Sequence, residues 1–393
     1  MKLDPIVLAS PMYFVLMAVE VLIDRKRRAG LYRLNDAITN LACGFYQQIL
    51  MALLVVPLNA PYRWIYDHHR VTDWFGANLA LAWAVAFVGS DFFYYWFHRW
   101  SHESAVGWFS HVVHHQSEDY NLSVALRQDA WQPLFSLWFQ LPLAWLGVPP
   151  ETFVTAYGVM IVYQFWIHTK LIDRMGPLEW VLNTPSHHRA HHAVADRYLR
   201  CNYAGVFIIW DRLFGSFEPE EGELIYGTVE PLNSWSPVWS HLQYGALLRD
   251  RMRAAKSAWD AVQVLLRGTD WLPPGIPREE HPEDLPRRYD VRTPADARRY
   301  AVILFAASML PGLAVTTLKH TSPIGLRVGL ALAAVWAMAN VGGFIESRWW
   351  ARASQKTLLA LVAIGGVAMA VTHPAWLAVT LVAAALWKLL PKA

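Results

Sequence analysis

The sequence predicts an all-α, polytopic membrane protein with a histidine-bearing helical core and a second block of membrane helices at its C-terminal end. The composition is the first reason, because 55% of the 393 residues are hydrophobic and only 17% are charged. A soluble domain typically has about 25% charged residues. The second reason is a series of apolar runs close to the roughly 20 residues that cross a bilayer. The third is a set of histidines that recur at helical spacing beside those runs.

Nine apolar runs are candidate membrane helices. The first is followed by the basic stretch 24–28, which is typical of a retained membrane helix and not of a cleaved signal peptide. Two pairs of runs are joined by very short turns beside proline, and these pairs predict membrane hairpins. The candidate runs are 5–23, 38–58, 76–97, 131–148, 151–169, 299–318, 325–345, 356–372 and 374–390.

The distribution of basic residues predicts which side of the membrane the histidines face. Arg25 and its basic neighbours place the first loop in the cytoplasm by the positive-inside rule. Two further crossings return the chain to the cytoplasm near His98, and the hairpin over 131–169 returns it there again at His168. We therefore expect every histidine stretch at a cytoplasmic helix end, with the active site on the cytoplasmic side.

Three parts are predicted along the chain. Residues 1–215 form the membrane-embedded core with the histidines. Residues 216–297 are polar and rich in proline in places, so they predict a cytosolic connector. Residues 298–393 contain the C-terminal transmembrane helices and have almost no reactive groups.

Ten of the sixteen histidines lie in four short stretches between residues 98 and 192. Residues at i, i+3 and i+4 share one face of a helix, so the histidines within each of the three larger stretches are predicted to point together. Three such faces would bring about eight imidazoles around one point, enough to ligate two metal ions. The ten candidate ligands are His98, His102, His111, His114, His115, His168, His187, His188, His191 and His192.

Two of these histidines have open alternatives. His168 is either a ligand or a polar group at a helix end. His187 fits the common face least well, because one face cannot hold all four histidines of its stretch. Acidic or amide side chains are expected to accept the remaining imidazole N–H groups, and the candidates are Asp91, Glu118, Asp119, Asn121, Asp196, Asn202 and Asp211.

Asp91 has two interpretations of equal weight. It lies seven residues before His98, about two helical turns, within an apolar run. An acid inside a membrane helix is a functional candidate. The alternative is a hydrogen bond that packs helices together, or a pair with a nearby arginine.

The residues favour a metalloenzyme at the membrane surface, with two rival classes. A zinc site needs three or four ligands, and the ten histidines exceed that number. A metal transporter would distribute polar residues through the bilayer midplane, whereas these histidines cluster at helix ends. A membrane metal transporter and a zinc-dependent membrane hydrolase remain the alternatives, although the H-E-x-x-H signature of zinc proteases is absent.

The histidine spacing resembles the fatty acid hydroxylase / sterol desaturase superfamily over about residues 85–217. The matching boxes are His98/His102, His111/His114/His115 and His188/His191/His192. The resemblance implies a non-haem centre of two Fe ions, O₂ as oxidant, and hydroxylation of a C–H bond in a lipid. An ether lipid, a fatty acyl chain and a sterol are all substrates that fit this implication.

Within the superfamily the chain resembles the alkylglycerol monooxygenases and their bacterial relatives, through residues 114–123, 125–127 and 164–169. This resemblance implies that His168 is a ligand and that Glu118 has a catalytic role. It also implies tetrahydrobiopterin or another external electron donor as reductant. No cytochrome or flavin motif is evident in the sequence, so the expected partners are the lipid, O₂ and an external reductant or electron-transfer protein.

Overall fold

The computed structural model describes residues 5–276, 288–318, 322–371 and 374–391. Within these ranges the chain is helical and contains no strand, and its β-type pairing is confined to the isolated bridges Leu182–Phe207 and Ala193–Tyr226. The predicted all-α class is confirmed. Residues 277–287 of the predicted connector lie outside the described residues.

The α-helices of the described residues are, in chain order, α1 (Pro5–Arg27), α2 (Leu34–His69), α3 (Trp74–Ala77), α4 (Leu79–Glu103), α5 (Ala105–Phe109), α6 (Val112–His115), α7 (Gln132–Leu146), α8 (Pro150–Trp166), α9 (Pro185–His191), α10 (Ile209–Phe214), α11 (Pro237–Ala254), α12 (Ala258–Leu266), α13 (Ala295–Thr317), α14 (Ile324–Ile345), α15 (Ala351–Ala370) and α16 (Leu377–Lys388). Short 3₁₀ helices cover Val124–Leu126, Gly176–Trp180, Asp196–Tyr198 and Pro374–Trp376.

Five helices in the described part of the chain have the length and apolar composition to cross a membrane, and the protein is accordingly a multi-pass membrane protein. They are Leu34–Leu54, Leu79–Glu103, Ala295–Thr317, Ile324–Ile345 and Ala351–Ala370. The predicted hairpin over 131–169 is shorter than expected, because α7 and α8 have 15 and 17 residues. At 1.5 Å per residue they reach about 22 and 26 Å, less than the roughly 30 Å of a hydrocarbon core.

The three predicted parts share their apolar cores. The helices α2, α4, α7 and α8 meet around Tyr62, Leu143 and Phe153. The connector contributes α11 and α12, whose buried side chains pack with Val113 beside the histidine helices. Ile38 of α2 packs with the C-terminal helices. The domain boundaries stay a prediction, but the connector and the C-terminal block both support the histidine core directly.

A sharp corner between α4 and α5 brings the second histidine stretch back toward the first. The Ser104 hydroxyl caps α5 by accepting a hydrogen bond from the Gly107 N–H at 3.0 Å. A Cβ atom at position 107 would lie 2.6 Å from the Trp100 carbonyl oxygen. Glycine is therefore required at this corner, which allows His111 to approach His98.

Candidate metal centre

Nine of the ten predicted histidines come together in two groups, and all nine are buried. In each group one nitrogen of every imidazole lies within 4.8 Å of the corresponding atoms of the other members. We call these groups the five-histidine group and the four-histidine group. The first contains His98, His102, His111, His115 and His191, and the second contains His114, His168, His188 and His192.

The histidines divide between the two groups according to their positions around each helix, and this division is finer than the sequence predicted. Histidines at i and i+4 stay together, as His111 with His115 and His188 with His192, whereas His114 and His191 join the opposite group. The prediction that each box points one way was therefore too coarse. Successive helical residues are rotated by about 100°, so neighbours such as His114 and His115 diverge. The second and third boxes thus contribute to both groups, whereas His98 and His102 of the first box both belong to the five-histidine group.

Three Nδ1 atoms in the five-histidine group face hydrogen-bond acceptors. His98 Nδ1 lies 2.7 Å from the Tyr203 carbonyl oxygen, and His191 Nδ1 lies 2.8 Å from that of Cys201. His111 Nδ1 lies 3.1 Å from the Gln132 Oε1 atom. An oxygen of this kind only accepts, so each Nδ1 has the proton and each Nε2 keeps its lone pair.

Two rings of the four-histidine group are oriented in the same manner, whereas the Nδ1 atom of His188 has no hydrogen-bond partner among the described residues. His114 Nδ1 donates to the Arg127 carbonyl at 2.8 Å, and His168 Nδ1 donates to the Gln164 carbonyl at 2.7 Å. The Nε2 atoms of both rings are thereby left as acceptors. Hydrogen bonds of this type fix the ring orientation of histidines that ligate metals.

The Nε2 atoms then face one another without a proton between them. His98 Nε2 and His111 Nε2 are 2.9 Å apart, and His114 Nε2 and His168 Nε2 are 3.2 Å apart. Two facing lone pairs at this distance repel unless a cation lies near both. With metal–nitrogen bonds of about 2 Å, two ligands at an angle near 90° lie about 3 Å apart. The side chains present therefore fit a metal ion in each group.

Burial keeps these rings in the ligating form. Burial lowers the pKa of His114 to about 4 and that of His191 to about 3. Both imidazoles are thus neutral near pH 7, as metal ligation requires. The Nε2 atoms of His102 and His191 have no hydrogen-bond partner among the described residues, which is costly for buried polar atoms unless an ion occupies the site.

Aromatic rings enclose the two groups. The Trp108 ring lies 4.9 Å from the His102 ring and 5.3 Å from the His115 ring, measured between centroids. The Tyr120 ring stacks on His168 at 5.9 Å. These rings provide an apolar wall that restricts the access of water to the imidazoles.

His187 is placed apart from both groups. Its ring lies edge-on to Phe217, with centroids 5.3 Å apart, while the next residue, His188, belongs to the four-histidine group. A short helix directs successive side chains about 100° apart, which explains why His187 points elsewhere. Its backbone carbonyl accepts a hydrogen bond from the Asn202 side chain at 3.0 Å.

Asp91 is placed as a packing residue rather than beside the imidazoles. Its carboxylate accepts hydrogen bonds from the backbone N–H groups of Val206 and Phe207, at 2.6 and 3.0 Å, and from the Trp210 indole at 2.9 Å. These contacts correspond to the packing interpretation of the sequence. Asp91 thereby holds the loop that follows Tyr203 against α4.

Glu118 is likewise engaged away from the two groups. Its carboxylate pairs with the Arg33 guanidinium at 3.2 Å and accepts a hydrogen bond from the Tyr289 backbone N–H at 2.8 Å. Burial raises the pKa of Glu118, and the Arg33 charge opposes that rise. The structure places Glu118 where the N-terminal part of α2, the second histidine stretch and the end of the connector meet.

The residues that orient the histidines were largely missed by the sequence analysis. Most of them contribute backbone carbonyls, which no residue type reveals, and Gln132 lies outside the histidine boxes. Asp211, expected to accept from an imidazole, instead accepts from the backbone N–H groups of Tyr203 and Ala204 at 2.8 and 2.9 Å. It thereby holds the loop whose Tyr203 carbonyl orients His98.

Comparisons with known proteins place the histidines within the matched part of a family. The sequence model of the fatty acid hydroxylase family matches residues 83–216, which include all ten candidate histidines. The chain is 37% identical over 292 residues to an alkylglycerol monooxygenase of Xenopus tropicalis, covering 74% of this chain and 64% of the relative. It is 36% identical over 309 residues to an alkylglycerol monooxygenase of Homo sapiens, covering 76% of this chain and 68% of the relative.

A bacterial relative is more distant. The ornithine lipid hydroxylase OlsE of Rhizobium tropici is 31% identical over 142 residues, which cover 34% of this chain and 43% of the relative. No solved structure matches the chain. The alignment spans 64% of the length of the frog relative, just under two thirds. From the histidine boxes, their geometry and these relatives together, the chain belongs to the fatty acid hydroxylase family, with the alkylglycerol monooxygenases among its relatives.

Proposed function

We propose that this protein is a membrane-bound, non-haem di-iron monooxygenase that uses O₂ to hydroxylate a C–H bond of a lipid. The observation that carries the proposal is the convergence of nine buried imidazoles into two adjacent groups, with Nε2 atoms that face each other in both groups. One zinc ion would need at most four of these ligands. Two imidazole-rich sites side by side fit a dinuclear centre better, and imidazole suits iron.

The five-histidine group would hold one iron and the four-histidine group the other. Bound there, the two ions would supply the reduction of O₂ and the transfer of one oxygen atom to the lipid. His187 is not assigned as a ligand in this proposal, because its ring lies against Phe217.

The protein itself contributes orientation and exclusion of water. The carbonyls of Tyr203, Arg127 and Gln164 keep the Nδ1 protons of three ligands in place, so that their Nε2 lone pairs point to the ions. The aromatic wall formed with Trp108 and Tyr120 keeps bulk water from the buried groups. A water-poor site protects a reactive oxidant from side reactions.

A lipid with an ether-linked chain is the substrate that the relatives' names favour. Two of the relatives are named for alkylglycerols and a third for an ornithine lipid, so a lipid is common to all three. In the proposed reaction one atom of O₂ enters a C–H bond of the lipid and the other is reduced to water with two electrons and two protons. Tetrahydrobiopterin or an electron-transfer protein is proposed as the external donor of those electrons.

The test is to measure metal content and oxygen transfer in the same preparation. The full chain would be purified from iron-replete cells, reconstituted in lipid nanodiscs with an alkylglycerol, and supplied with ¹⁸O₂ and a reductant. We expect two irons per chain and one ¹⁸O atom in the oxidised lipid, and we expect His188→Ala to lose about one iron per chain and all ¹⁸O incorporation. One zinc and no iron per chain would contradict the proposal and favour a hydrolase, and metal uptake into proteoliposomes would favour a transporter.

The cytoplasmic orientation of the site is also proposed, from the basic residues that precede and follow the first helices. It can be tested with a cysteine at the exposed position 197 near the histidine groups. An impermeant maleimide should label Arg197→Cys only after the cell membrane is permeabilised. Labelling in intact cells would place the site on the outside.

A further inference from the structure

A second pocket lies beside α9, on the side to which His187 points. It has about 400 Å³ of empty space that is open to solvent. We call it the arginine pocket, and its polar lining includes Arg174, Glu179, His187, Arg212 and Glu220. None of these residues belongs to either histidine group.

Neither acid of this pocket forms an ion pair with Arg174 or Arg212. The Glu179 carboxylate already accepts hydrogen bonds from the Met175 N–H at 2.9 Å and the Ser186 hydroxyl at 2.7 Å. Glu220 forms a bidentate pair with Arg189, at 2.8 and 2.7 Å. Within the described residues, neither Arg174 nor Arg212 forms an ion pair. The pocket therefore offers two guanidinium groups to an anion.

Both guanidinium groups are held in place while keeping free donors. Arg212 donates to the Glu179 carbonyl at 3.1 Å and lies over the Phe217 ring at 3.8 Å. Arg174 donates to the Glu220 carbonyl at 2.6 Å. A guanidinium has five N–H donors, so each retains donors for a ligand. The Nδ1 atom of the buried His187 also lacks a partner among the described residues.

Large apolar side chains surround the arginine pocket and face outward. Trp180 is 72% exposed and Leu213 is 69% exposed, and Leu178 and Val181 are exposed as well. Gly176 adopts a left-handed conformation with φ of 60°. It is the first residue of the 3₁₀ helix that ends at the exposed Trp180. Exposed tryptophan beside arginine is typical of the interface between membrane and water.

The packing of α10 places this surface against the C-terminal half of a membrane-spanning helix. The Trp210 ring lies 5.2 Å from Phe92, and the Phe214 ring lies 4.9 Å from Trp96. Arg99, near the end of α4, donates to the Phe214 carbonyl at 3.2 Å. The short helix α10 and the apolar rim beside it therefore lie along the C-terminal half of α4, which has the length and composition to cross a membrane.

We propose that the arginine pocket binds the phosphate of an anionic membrane phospholipid, while the apolar rim inserts among the neighbouring acyl chains. Arginine is suited to this task because its planar fork donates two parallel hydrogen bonds to phosphate oxygens. An acidic protein partner would fit the charges but not the exposed Trp180 and Leu213. The bound lipid anchors the loops on either side of α9 to the membrane surface.

The experiment measures lipid binding and needs no catalytic turnover, so its outcome is independent of the proposed reaction. The full chain is delipidated in detergent and titrated with dioctanoyl-phosphatidylglycerol, and bound lipid is counted by native mass spectrometry. The variants are Arg174→Gln and Arg212→Gln. The matched control is Arg249→Gln, an exposed arginine of α11 that pairs with Asp250. Dioctanoylglycerol, inorganic phosphate and a poly-glutamate peptide serve as comparison ligands.

We expect each pocket variant to weaken phosphatidylglycerol binding about fivefold, in line with the usual contribution of one basic residue near an anionic surface. The Arg249→Gln control should bind as the unaltered chain does, and dioctanoylglycerol should bind equally to all variants. Equal phosphatidylglycerol binding by all variants would overturn the proposal. If inorganic phosphate bound as strongly as phosphatidylglycerol, the pocket would be a site for free anions. If poly-glutamate bound more strongly than phosphatidylglycerol, the pocket would be a protein-binding surface. Either result would contradict a lipid site.

Discussion

The Nε2 atoms of His98 and His111 lie 2.9 Å apart although both rings have their proton on Nδ1. His98 donates that proton to a backbone carbonyl and His111 donates it to the Gln132 amide oxygen. Two acceptors that face each other at this distance are stable only when a cation lies beside them. This relationship, repeated between His114 and His168, underlies the predictions below.

Adjacent histidines on α9 should differ in their effect on the metal content. His188 belongs to the four-histidine group, whereas the His187 ring lies against Phe217. We expect His188→Gln to lose about one iron per chain and His187→Gln to retain both, as measured by elemental analysis of the purified protein. Loss of iron in His187→Gln, with its unfolding temperature unchanged, would make His187 a ligand after all.

Gln132 is expected to control how tightly the five-histidine group holds its ion. Gln132→Leu removes the acceptor of the His111 Nδ1 proton, and loss of such a partner typically lowers metal affinity 10- to 100-fold. The rate of iron release to a chelator should rise accordingly. Gln132→Glu keeps an acceptor and is the matched control, which should release iron slowly. Equal release from both variants would show that the amide does not orient His111.

Substitution of Asp91 should lower the stability of the folded protein, and any effect on the reaction should follow from that loss of stability. Asp91→Ala leaves the buried N–H groups of Val206 and Phe207 without their acceptor, and each unpaired buried group costs about 1–3 kcal/mol. We expect a lower unfolding temperature in detergent and a partial loss of iron. If Asp91→Asn instead abolishes turnover with iron content and unfolding temperature intact, then Asp91 has the catalytic role that the sequence left open.

Glu118 and Arg33 should behave as a coupled pair. Their side chains are each 18% exposed and 3.2 Å apart, so we expect a coupling free energy of unfolding of about 1 kcal/mol or less. The measurement is a double-mutant cycle with Glu118→Gln and Arg33→Gln, followed by thermal unfolding. Strictly additive effects on stability, together with loss of turnover in Glu118→Gln alone, would support the catalytic role predicted from the family resemblance.

Much of the fold could be predicted because apolar length and helical spacing are local properties of a chain. The runs near 79–103 and 324–345 needed only composition to be recognised as spanning helices. The hairpin of α7 and α8 was predicted too long, because an apolar run does not reveal where a helix ends. The left-handed Gly147, with φ of 95°, ends α7 after 15 residues.

The sequence by itself determined that the chain is helical, that it belongs in a membrane, and that its histidines can share helix faces. Only the tertiary structure decided that His114 and His115 join different groups, and that carbonyls such as Tyr203 orient the rings. The tertiary structure also decided that Asp91 and Glu118 contact residues other than the clustered histidines. The physical reason is that spacing along a helix fixes the relative directions of side chains, whereas the partner that each one meets depends on how separate helices and loops pack.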